Sequence, residues 1–309
     1  MSEKMEVLVS PSSFGKCGNE PLEILIRNGY ELIINPYSRK LTAEEVITLG
    51  KDCVGIVAGV EPLTARVMDA LPKLKCISRV GVGMDSVDLE YAKDKGITVV
   101  NTPDGPTRSV AEMIIAMTFS LLRKIPLADA NIKKGIWKKE IGNLLFEKTV
   151  GIVGLGRIGK MVAEMFSKLG NTVIGFDLYP DEKWANQNSV KLVNLDELMQ
   201  KSDIVSLHVP PNKDKTAIIG KAQLSKMKKS AFLINAARGG VVDETALFDF
   251  LKNNNIAGAA IDVFLIEPYK GPFTKLKNVI LTPHLGSYAA EGKLQMEIDA
   301  VKNLIESLR

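Results

Sequence analysis

Short apolar runs rich in valine and isoleucine alternate with helical patterns along most of the 309-residue chain. A first series of candidate strands, between about residues 5 and 101, consists of EVLVS, ELIINP, VGIVAG, KCISRV and ITVVN. A second series begins at Thr149 and consists of TVGIVG, TVIGFD, IVSLHV, AFLINAA, GAAIDVF and NVILTP, with helical patterns such as 158–169 and 244–253 between them. The mixed spacing of apolar positions is typical of parallel strands buried on both faces. The pattern therefore predicts an α/β fold class with two doubly wound parallel-sheet domains.

A cluster of helix and strand breakers, TPDGP, separates the two series and precedes a long helical pattern over residues 107–123. We therefore place a domain boundary near residue 103. The last segment, residues 289–309, has the pattern of one amphipathic helix. The pattern alone leaves open which domain this helix packs against.

Composition and charge exclude several classes of protein. With 46% hydrophobic and 25% charged residues, the chain has ordinary globular proportions, and its apolar runs fall short of the roughly 20 residues that a bilayer span requires. The N-terminus lacks the apolar stretch of a secretory signal, so we expect a cytoplasmic protein without a membrane partner. The 40 basic and 36 acidic residues are scattered, which argues against a nucleic-acid partner. The three cysteines lack metal-ligand spacing, so no metal is expected.

A glycine-rich turn follows the candidate strand TVGIV and opens a helical pattern, as a dinucleotide-binding fingerprint requires. In such a turn, Gly154 allows the tight bend, Gly156 lets a pyrophosphate approach the backbone, and Gly159 lets the helix pack on the strand. Asp177 ends the next strand, where its carboxylate can accept hydrogen bonds from ribose hydroxyls. Asp177 would also repel the 2′-phosphate of NADP, and neither of the next two residues is an arginine. The predicted cofactor is therefore NAD.

A second glycine pair, Gly81 and Gly83, follows the strand KCISRV, but Ser86 stands where the fingerprint needs its third glycine. This loop is therefore not predicted to bind the dinucleotide. Its backbone N–H groups, at the C-terminal end of a strand, could bind a substrate carboxylate. A plain tight turn is an equally open interpretation.

Three polar residues near the ends of later strands form a candidate redox site, because such strand ends line the ligand crevice of a doubly wound sheet. Oxidation of an alcohol beside a carboxylate needs a base for the hydroxyl proton and a cation for the carboxylate. His284 can be the base, and a hydrogen bond to Glu267 would fix its tautomer. Arg238 offers a planar fork that pairs with a carboxylate through two hydrogen bonds. Taken singly, each residue could instead belong to a turn or cap a strand.

Several long motifs, in this order and spacing, resemble those of the D-isomer-specific 2-hydroxyacid dehydrogenases, and the phosphoglycerate dehydrogenase branch most closely: VGIVGLGRIGK, SDIVSLHVP, LINAARGGVVDETAL, AAIDVFLIEP and LTPHLGS. The likeness extends upstream to SRVGVGMDSVDLEYAKDKGITVVNTP and TRSVAEM. It implies a flavodoxin-like substrate domain, residues 1–102 completed by 288–309, and a Rossmann NAD-binding domain, residues 103–287, with the active site in a cleft between them. It also implies a homodimer formed through the NAD-binding domain.

The resemblance also implies a role for each candidate residue. His284 is then the acid/base, Glu267 its partner and Arg238 the residue that orients the substrate. Backbone N–H groups of Val82 and Gly83 would bind the substrate carboxylate. The implied cofactor contacts fall into three groups. The glycine turn and the next strand end contribute Gly154, Gly156, Arg157, Ile158, Gly159 and Asp177, and the HVP turn contributes His208 and Pro210. The residues implied around the nicotinamide are Ala236, Ala237, Arg238, Asp262, His284 and Gly286.

The resemblance implies a small anionic D-2-hydroxy acid as substrate, with 3-phosphoglycerate and its oxidation product phosphohydroxypyruvate expected first. Arg79 could hold the phosphate, as could Arg108, and solvated arginines are an equally open interpretation. Glyoxylate or hydroxypyruvate is the alternative substrate, and an NAD-sensing, corepressor-like protein without catalysis is the alternative from another class. Since the sequence stops at Arg309, directly after the last helix, we expect no C-terminal regulatory domain.

Overall fold

The structure is a computed structural model that describes residues 5–309. It divides into two compact units. Thr107–Gly286 forms the second unit, and the described residues up to Pro106 form the first unit together with Ser287–Arg309. The boundary expected from the sequence follows residue 102, in the Pro-Asp-Gly turn, whereas the compact units divide at the start of the long helix.

The first unit contains a parallel sheet with helices between its strands. In chain order its elements are β1 (Glu6–Val9), α1 (Glu20–Arg27), β2 (Glu31–Ile34), α2 (Ala43–Gly50), β3 (Cys53–Ala58), α3 (Ala65–Asp69), β4 (Cys76–Arg79), α4 (Leu89–Asp94) and β5 (Thr98–Asn101). The strands pair in the order β2-β1-β3-β4-β5, all parallel, which is the flavodoxin-like arrangement. Three successive apolar residues of β1, Val7, Leu8 and Val9, are buried, as the pattern of a parallel strand covered on both faces requires.

The second unit has the same kind of architecture. In chain order its elements are α5 (Thr107–Arg123), α6 (Ile125–Lys133), β6 (Thr149–Val153), α7 (Arg157–Lys168), β7 (Thr172–Phe176), α8 (Glu182–Gln187), β8 (Lys191–Leu192), α9 (Leu195–Lys201), β9 (Ile204–Leu207), α10 (Lys221–Leu224), β10 (Phe232–Asn235), α11 (Glu244–Lys252), β11 (Gly258–Ile261), a 3₁₀ turn (Pro272–Lys275) and β12 (Val279–Leu281). The strands pair in the order β12-β11-β10-β9-β6-β7-β8, all parallel, which is the Rossmann order with one further strand.

The predicted fold class is therefore confirmed: both units are doubly wound α/β sheets. Each strand that the sequence predicts is present, and within the described residues only the two-residue β8 was not expected. Among residues 5–309, no helix is both long and apolar enough to cross a membrane.

The long helix α5 supplies the core on one face of the second sheet. Its buried residues Ile114 and Met117 belong to the same apolar cluster as Val162 and Phe166 of α7. The amphipathic repeat that predicted the helix therefore forms its packing surface. Helix α5 begins at the unit boundary and is part of the second unit.

The last helix, α12 (Ala290–Leu308), packs in the first unit. Val301 and Leu304 are fully buried in the same cluster as Val7 and Val9 of β1. The same helix carries Glu297, a completely buried carboxylate that pairs with Lys293 and accepts a hydrogen bond from the Gly15 N–H at 3.0 Å. The Lys293 ammonium group also donates to the Ser13 carbonyl at 2.8 Å, so α12 fastens the loop that follows β1.

Candidate active site

The glycine turn between β6 and α7 leaves space for a ligand only on one side. A Cβ atom on Gly154 would lie 2.5 Å from the His208 carbonyl oxygen, and one on Gly159 would lie 1.9 Å from the Gly154 carbonyl oxygen. Gly154 also has a φ of +94°, a conformation that favours glycine. A Cβ atom on Gly156, the N-cap of α7, would meet nothing within 4 Å. The turn therefore fits a pyrophosphate, because its open side presents the N-terminus of a helix.

Asp177 lies directly after β7 and is bound to the same turn. Its Oδ2 accepts a hydrogen bond from the Leu155 N–H at 2.7 Å, and its Oδ1 accepts one from the Tyr179 N–H at 2.9 Å. These two bonds fix the direction of the carboxylate. Each oxygen keeps a second lone pair, so the group can still accept hydrogen bonds from ribose hydroxyls.

The backbone around Arg238 is organised by the buried Asn235, the last residue of β10. The Asn235 side chain accepts a hydrogen bond from the Ala237 N–H at 3.1 Å and donates one to the Arg238 carbonyl at 3.2 Å. Nη1 of Arg238 donates to the Ala237 carbonyl at 2.8 Å. A Cβ atom on Gly239 would lie 2.1 Å from the Phe264 carbonyl oxygen. The Arg238 turn therefore packs directly on the loop after β11, the loop that carries Glu267.

Glu267 and His284 are hydrogen-bonded to each other. The distance between Nδ1 of His284 and Oε2 of Glu267 is 3.0 Å, and the two side chains are 47% and 39% exposed, with the histidine given first. The other carboxylate oxygen of Glu267 accepts a hydrogen bond from the Phe264 N–H at 3.0 Å, which orients the group. The carboxylate on Nδ1 favours the tautomer with hydrogen on Nδ1, so Nε2 carries the lone pair. The pair thus has the geometry of an oriented base with an accessible nitrogen.

The loop that presents His284 is held by Asp262, a carboxylate that is 1% exposed. Its Oδ1 accepts hydrogen bonds from the Thr282 hydroxyl at 2.5 Å and the Leu285 N–H at 2.7 Å, and its Oδ2 accepts one from the Gly286 N–H at 2.8 Å. His284 itself has a φ of +57°, in the left-handed region that non-glycine residues rarely adopt. Asp262 therefore secures an unfavourable backbone conformation. Its expected contact with the nicotinamide stays a prediction.

His208 follows β9, beside the glycine turn, and is only partly exposed. Its Nε2 lies 2.9 Å from the hydroxyl of the buried Ser206. Burial lowers the pKa of His208 to about 3, so the ring is neutral near pH 7. His208 is therefore unsuited to gain and lose a proton during turnover. Its expected contact with the cofactor stays a prediction.

In the first unit, loop 81–83 is held by hydrogen bonds from the end of β5. The Gly81 N–H donates to the Thr102 hydroxyl at 2.7 Å, the Thr102 N–H donates to the Gly81 carbonyl at 3.1 Å, and the Asn101 amide donates to the Val82 carbonyl at 2.9 Å. Gly81 has a φ of +126°, and a Cβ atom there would lie 2.7 Å from Nη1 of Arg79. The structure therefore brings Arg79 against the loop that is predicted to bind a carboxylate.

The second arginine considered for a phosphate, Arg108, has a different setting. It lies on α5, where its Nε forms an ion pair with Glu112 at 2.8 Å, and its side chain is 77% exposed. Such a surface pair is weak and gives no sign of a built anion site. The remaining predicted cofactor contacts are Arg157 and Pro210, which are exposed, and Ile158 and Ala236, which are partly buried against the core of the second unit.

Two residues of the site were not found from the sequence. Asn235 orders the Arg238 turn, and Glu244 accepts a hydrogen bond from the Leu265 N–H, next to Glu267. For Asn235 the available signal was a polar residue that ends a wholly apolar strand. Glu244 lies 21 residues from its partner, so no local pattern connects the two.

The chain is also similar to known proteins. Residues 115–286 match the family profile described as "D-isomer specific 2-hydroxyacid dehydrogenase, NAD binding domain". The chain is 38% identical over 306 residues to the D-3-phosphoglycerate dehydrogenase of Archaeoglobus fulgidus, a match that covers 97% of this chain and 57% of that protein. It is 37% identical over 279 residues to the glyoxylate reductase of Korarchaeum cryptofilum, covering 87% of this chain and 83% of that protein.

The fold is also that of solved structures. The TT0316 protein from Thermus thermophilus superposes with a TM-score of 0.91 at 33% identity, covering 98% of this chain and 97% of that chain. The chain spans about half the length of the curated D-3-phosphoglycerate dehydrogenases that it matches. The matched profile is that of an NAD-binding domain, so the predicted cofactor, NAD, is confirmed.

Proposed function

Because this chain belongs to the D-isomer-specific 2-hydroxyacid dehydrogenase family, we propose that it transfers a hydride between NAD and a D-2-hydroxy acid or 2-oxo acid. The observation that carries the proposal is the hydrogen bond between Nδ1 of His284 and Oε2 of Glu267 at 3.0 Å. An oriented histidine with a free ring nitrogen is what proton transfer to or from a substrate oxygen requires. A binding protein without catalysis would not need such a pair.

In the oxidation direction, Nε2 of His284 takes the proton of the substrate hydroxyl, and Glu267 stabilises the imidazolium that forms. In the reduction direction, the imidazolium returns this proton to the carbonyl oxygen. Glu267 keeps the ring in one tautomer and one orientation in both directions. Arg238 pairs with the substrate carboxylate and so fixes which face of the reacting carbon is presented.

The residues that would hold NAD are those of the glycine turn and Asp177. The N-terminus of α7 beside Gly156 binds the pyrophosphate, and Asp177 binds the ribose hydroxyls. When bound, NAD supplies the hydride acceptor for oxidation and, as NADH, the donor for reduction. The negative charge of Asp177 disfavours the 2′-phosphate of NADP, so NAD is the proposed physiological form.

The proposed substrate is 3-phosphoglycerate, with phosphohydroxypyruvate in the reverse direction. The names of the relatives from Archaeoglobus fulgidus and Methanocaldococcus jannaschii support this choice. A specific observation supports glyoxylate as a second candidate, since the glyoxylate reductase relative matches over 83% of its own length. In both cases we propose that N–H groups of Val82 and Gly83 bind the substrate carboxylate.

A substrate panel tests the proposal. The purified chain is mixed with NADH and, in turn, phosphohydroxypyruvate, hydroxypyruvate, glyoxylate and 2-ketobutyrate, and the absorbance of reduced nicotinamide is followed. We expect reduction of at least one 2-oxo acid, fastest with phosphohydroxypyruvate, and its loss in the variant His284→Ala. If no 2-oxo acid is reduced while NADH still binds, the proposed reaction is wrong. If glyoxylate is reduced and phosphohydroxypyruvate is not, only the substrate is wrong.

We also propose that the partner of this chain is a second copy of itself, bound through the second unit. Residues 136–146 expose an unusual amount of apolar surface, including Ile136, Trp137, Ile141, Leu144 and Phe146. Trp137 is 83% exposed and Ile141 is 90% exposed. Several large exposed apolar side chains in one segment are typical of an interaction site, and an interface between the same segment of two copies gives a twofold dimer.

Analytical ultracentrifugation tests the homodimer. The double variant Trp137→Asp with Ile141→Asp should sediment as a monomer, whereas the unmodified chain should sediment as a dimer. The matched control is the double variant Ile26→Asp with Val60→Asp, which places the same two charges on exposed apolar residues of the first unit. A monomer at all concentrations for the unmodified chain would reject the dimer.

A further inference from the structure

Glu244 is the first residue of helix α11 and lies outside the set of residues to which a role has been given. Its Oε1 accepts a hydrogen bond from the Leu265 N–H at 2.6 Å. Leu265 belongs to the loop between β11 and Glu267, so a side chain of α11 directly holds the loop that carries the partner of His284. Glu244 is partly buried by this contact.

The same loop is held at the neighbouring position by Glu267 itself. The Phe264 N–H donates to Oε1 of Glu267 at 3.0 Å, and the Leu265 N–H donates to Glu244. Two successive amides are thus bound by two different carboxylates. The close packing of Gly239 against the Phe264 carbonyl oxygen supports the loop from a further side. The position of Glu267 therefore depends on Glu244 through a short stretch of backbone.

The two carboxylates also interact electrostatically. Burial raises the pKa of Glu244, the hydrogen bond from the Leu265 N–H lowers it, and the charge of Glu267 raises it. Glu244 in turn acts on Tyr269. Burial raises the pKa of Tyr269 most, and the negative charge of Glu244 raises it further. The other acid at this helix end, Asp243, accepts hydrogen bonds from N–H groups of its own helix. The groups that interact with Glu244 from the loop are therefore Glu267 and Tyr269, and Glu267 is hydrogen-bonded to His284.

We propose that Glu244 is a positioning residue of the acid/base pair: its side chain fixes the loop that carries Glu267, and its negative charge acts on Glu267, the hydrogen-bond partner of His284. This rests on the proposed dehydrogenase function. The two effects are separable, because Glu244→Gln keeps an acceptor for the Leu265 N–H and removes the charge, whereas Glu244→Ala removes both.

Steady-state kinetics across pH test the charge effect. Reduction needs protonated His284, so its rate falls as pH rises. With one negative charge fewer, Glu244→Gln should lose this activity at a pH lower by about a few tenths of a unit, while its KM for NADH stays unchanged. Glu244→Ala should show the same shift and, because the loop is released, a kcat lower by about tenfold.

The matched control is Glu182→Ala, since Glu182 is also the first residue of a helix in the second unit and is exposed. It removes the same charge from the same position of a helix, away from the loop. If both Glu244 variants have the pH profile and kcat of this control, Glu244 has no positioning role, and the proposed dehydrogenase function is unaffected.

Amide hydrogen exchange provides a readout that does not depend on activity. Exchange in segment 263–268 should be faster in Glu244→Ala than in Glu182→Ala, and Glu244→Gln should lie close to the unmodified chain. Equal exchange in all four proteins would overturn the proposal. A chain that reduces no 2-oxo acid would reject the dehydrogenase function, and the exchange rates would still decide whether Glu244 holds the loop.

Discussion

The carboxyl edges of the two sheets hold their loops in different ways. In the second unit, polar side chains at strand ends hold the turns that carry candidate chemistry: Asn235 orders the Arg238 turn, and Asp262 orders the His284 loop. In the first unit, Thr102 holds loop 81–83, whose candidate binding groups are backbone amides. The ionisable groups of the candidate reaction are therefore concentrated in the second unit.

Two buried carboxylates make the contrast concrete. Glu61 in the first unit and Asp262 in the second are each 1% exposed. Asp262 accepts hydrogen bonds from three donors around His284, whereas Glu61 accepts them from the Ser10 hydroxyl and the Gly59 N–H. Glu61 thus joins the ends of β1 and β3 and holds no ionisable group. Changes in the second unit should accordingly affect turnover, and changes in the first unit should affect substrate affinity or stability.

The largest effect is expected at His284. The variant His284→Ala should lose about 10²–10⁴-fold in kcat, because a lost acid/base group costs this much, while NAD affinity measured by titration calorimetry stays the same. His208→Ala is the control in the same unit and should be much milder. A larger loss of kcat in His208→Ala than in His284→Ala would assign the proton transfer to His208 and contradict the proposed role of His284.

The next largest effect is expected at the two buried carboxylates, Asp262 and Glu61. Asp262→Ala leaves the Thr282 hydroxyl and two backbone amides without their acceptor, which should destabilise the chain by about 1–3 kcal/mol and lower kcat as the His284 loop loosens. Glu61→Ala should destabilise by a similar amount and leave kcat unchanged. Urea unfolding and steady-state rates measure both quantities. Equal loss of kcat in the two variants would contradict the assignment of turnover to the second unit.

A change at Asp177 tests cofactor selection. Asp177→Ala should weaken NAD binding by about tenfold, the cost of hydrogen bonds to a charged group, and should reduce the discrimination against NADP. Kinetics with both cofactors measure this. Equal use of NAD and NADP by the unmodified chain would show that Asp177 does not select.

A change at Arg79 sharpens the comparison from the side of the first unit. If Arg79 binds a phosphate, Arg79→Ala should raise the KM for phosphohydroxypyruvate several-fold and leave that for glyoxylate unchanged, because glyoxylate has no second anionic group. The kcat should stay the same for both. Arg108→Ala is the control, since its exposed ion pair should contribute almost nothing.

The last prediction concerns the pH dependence of stability. The pKa of His208 is about 3 in the folded chain and 6.5 for the free side chain, so between these values only the unfolded chain binds this proton. Stability therefore falls as the pH drops from 6.5 towards about 3, and it is unaffected by this group at higher pH. In His208→Gln, the unfolding free energy should depend less steeply on pH in this range. The difference in slope corresponds to the uptake of up to one proton on unfolding. An unchanged slope would mean that the ring is solvated.

The sequence predicted the strands well because their apolar runs are local signals. It predicted the glycine turn for the same reason, since Gly154, Gly156 and Gly159 carry their roles in their spacing. The two-residue β8 has no room for a pattern and was missed. The unit boundary lies in the structure after Pro106, the last residue of the TPDGP cluster, and so a few residues beyond the boundary expected near residue 103.

The supporting roles of Glu244 and Asp262 could not be predicted, because they depend on contacts between distant segments. Glu244 and Leu265 are 21 residues apart, and Asp262 and Gly286 are 24 apart. The sequence indicated Asp262 as a cofactor contact. In the structure its carboxylate accepts hydrogen bonds from three donors of the protein itself. A polar residue at a strand end is visible in a sequence, but its partner is chosen by the fold.

The buried pair of Lys293 and Glu297 has a consequence for how the chain is made. These residues tie α12 to the loop after β1, so the first unit needs a segment that a ribosome synthesises after the whole of the second unit. Thr107–Gly286 is complete before α12 emerges and can fold while β1 still lacks its cover. The contact between Gly15 and Glu297, which are 282 positions apart, can form only after α12 has been synthesised. We therefore expect the first unit to complete its folding after the second unit.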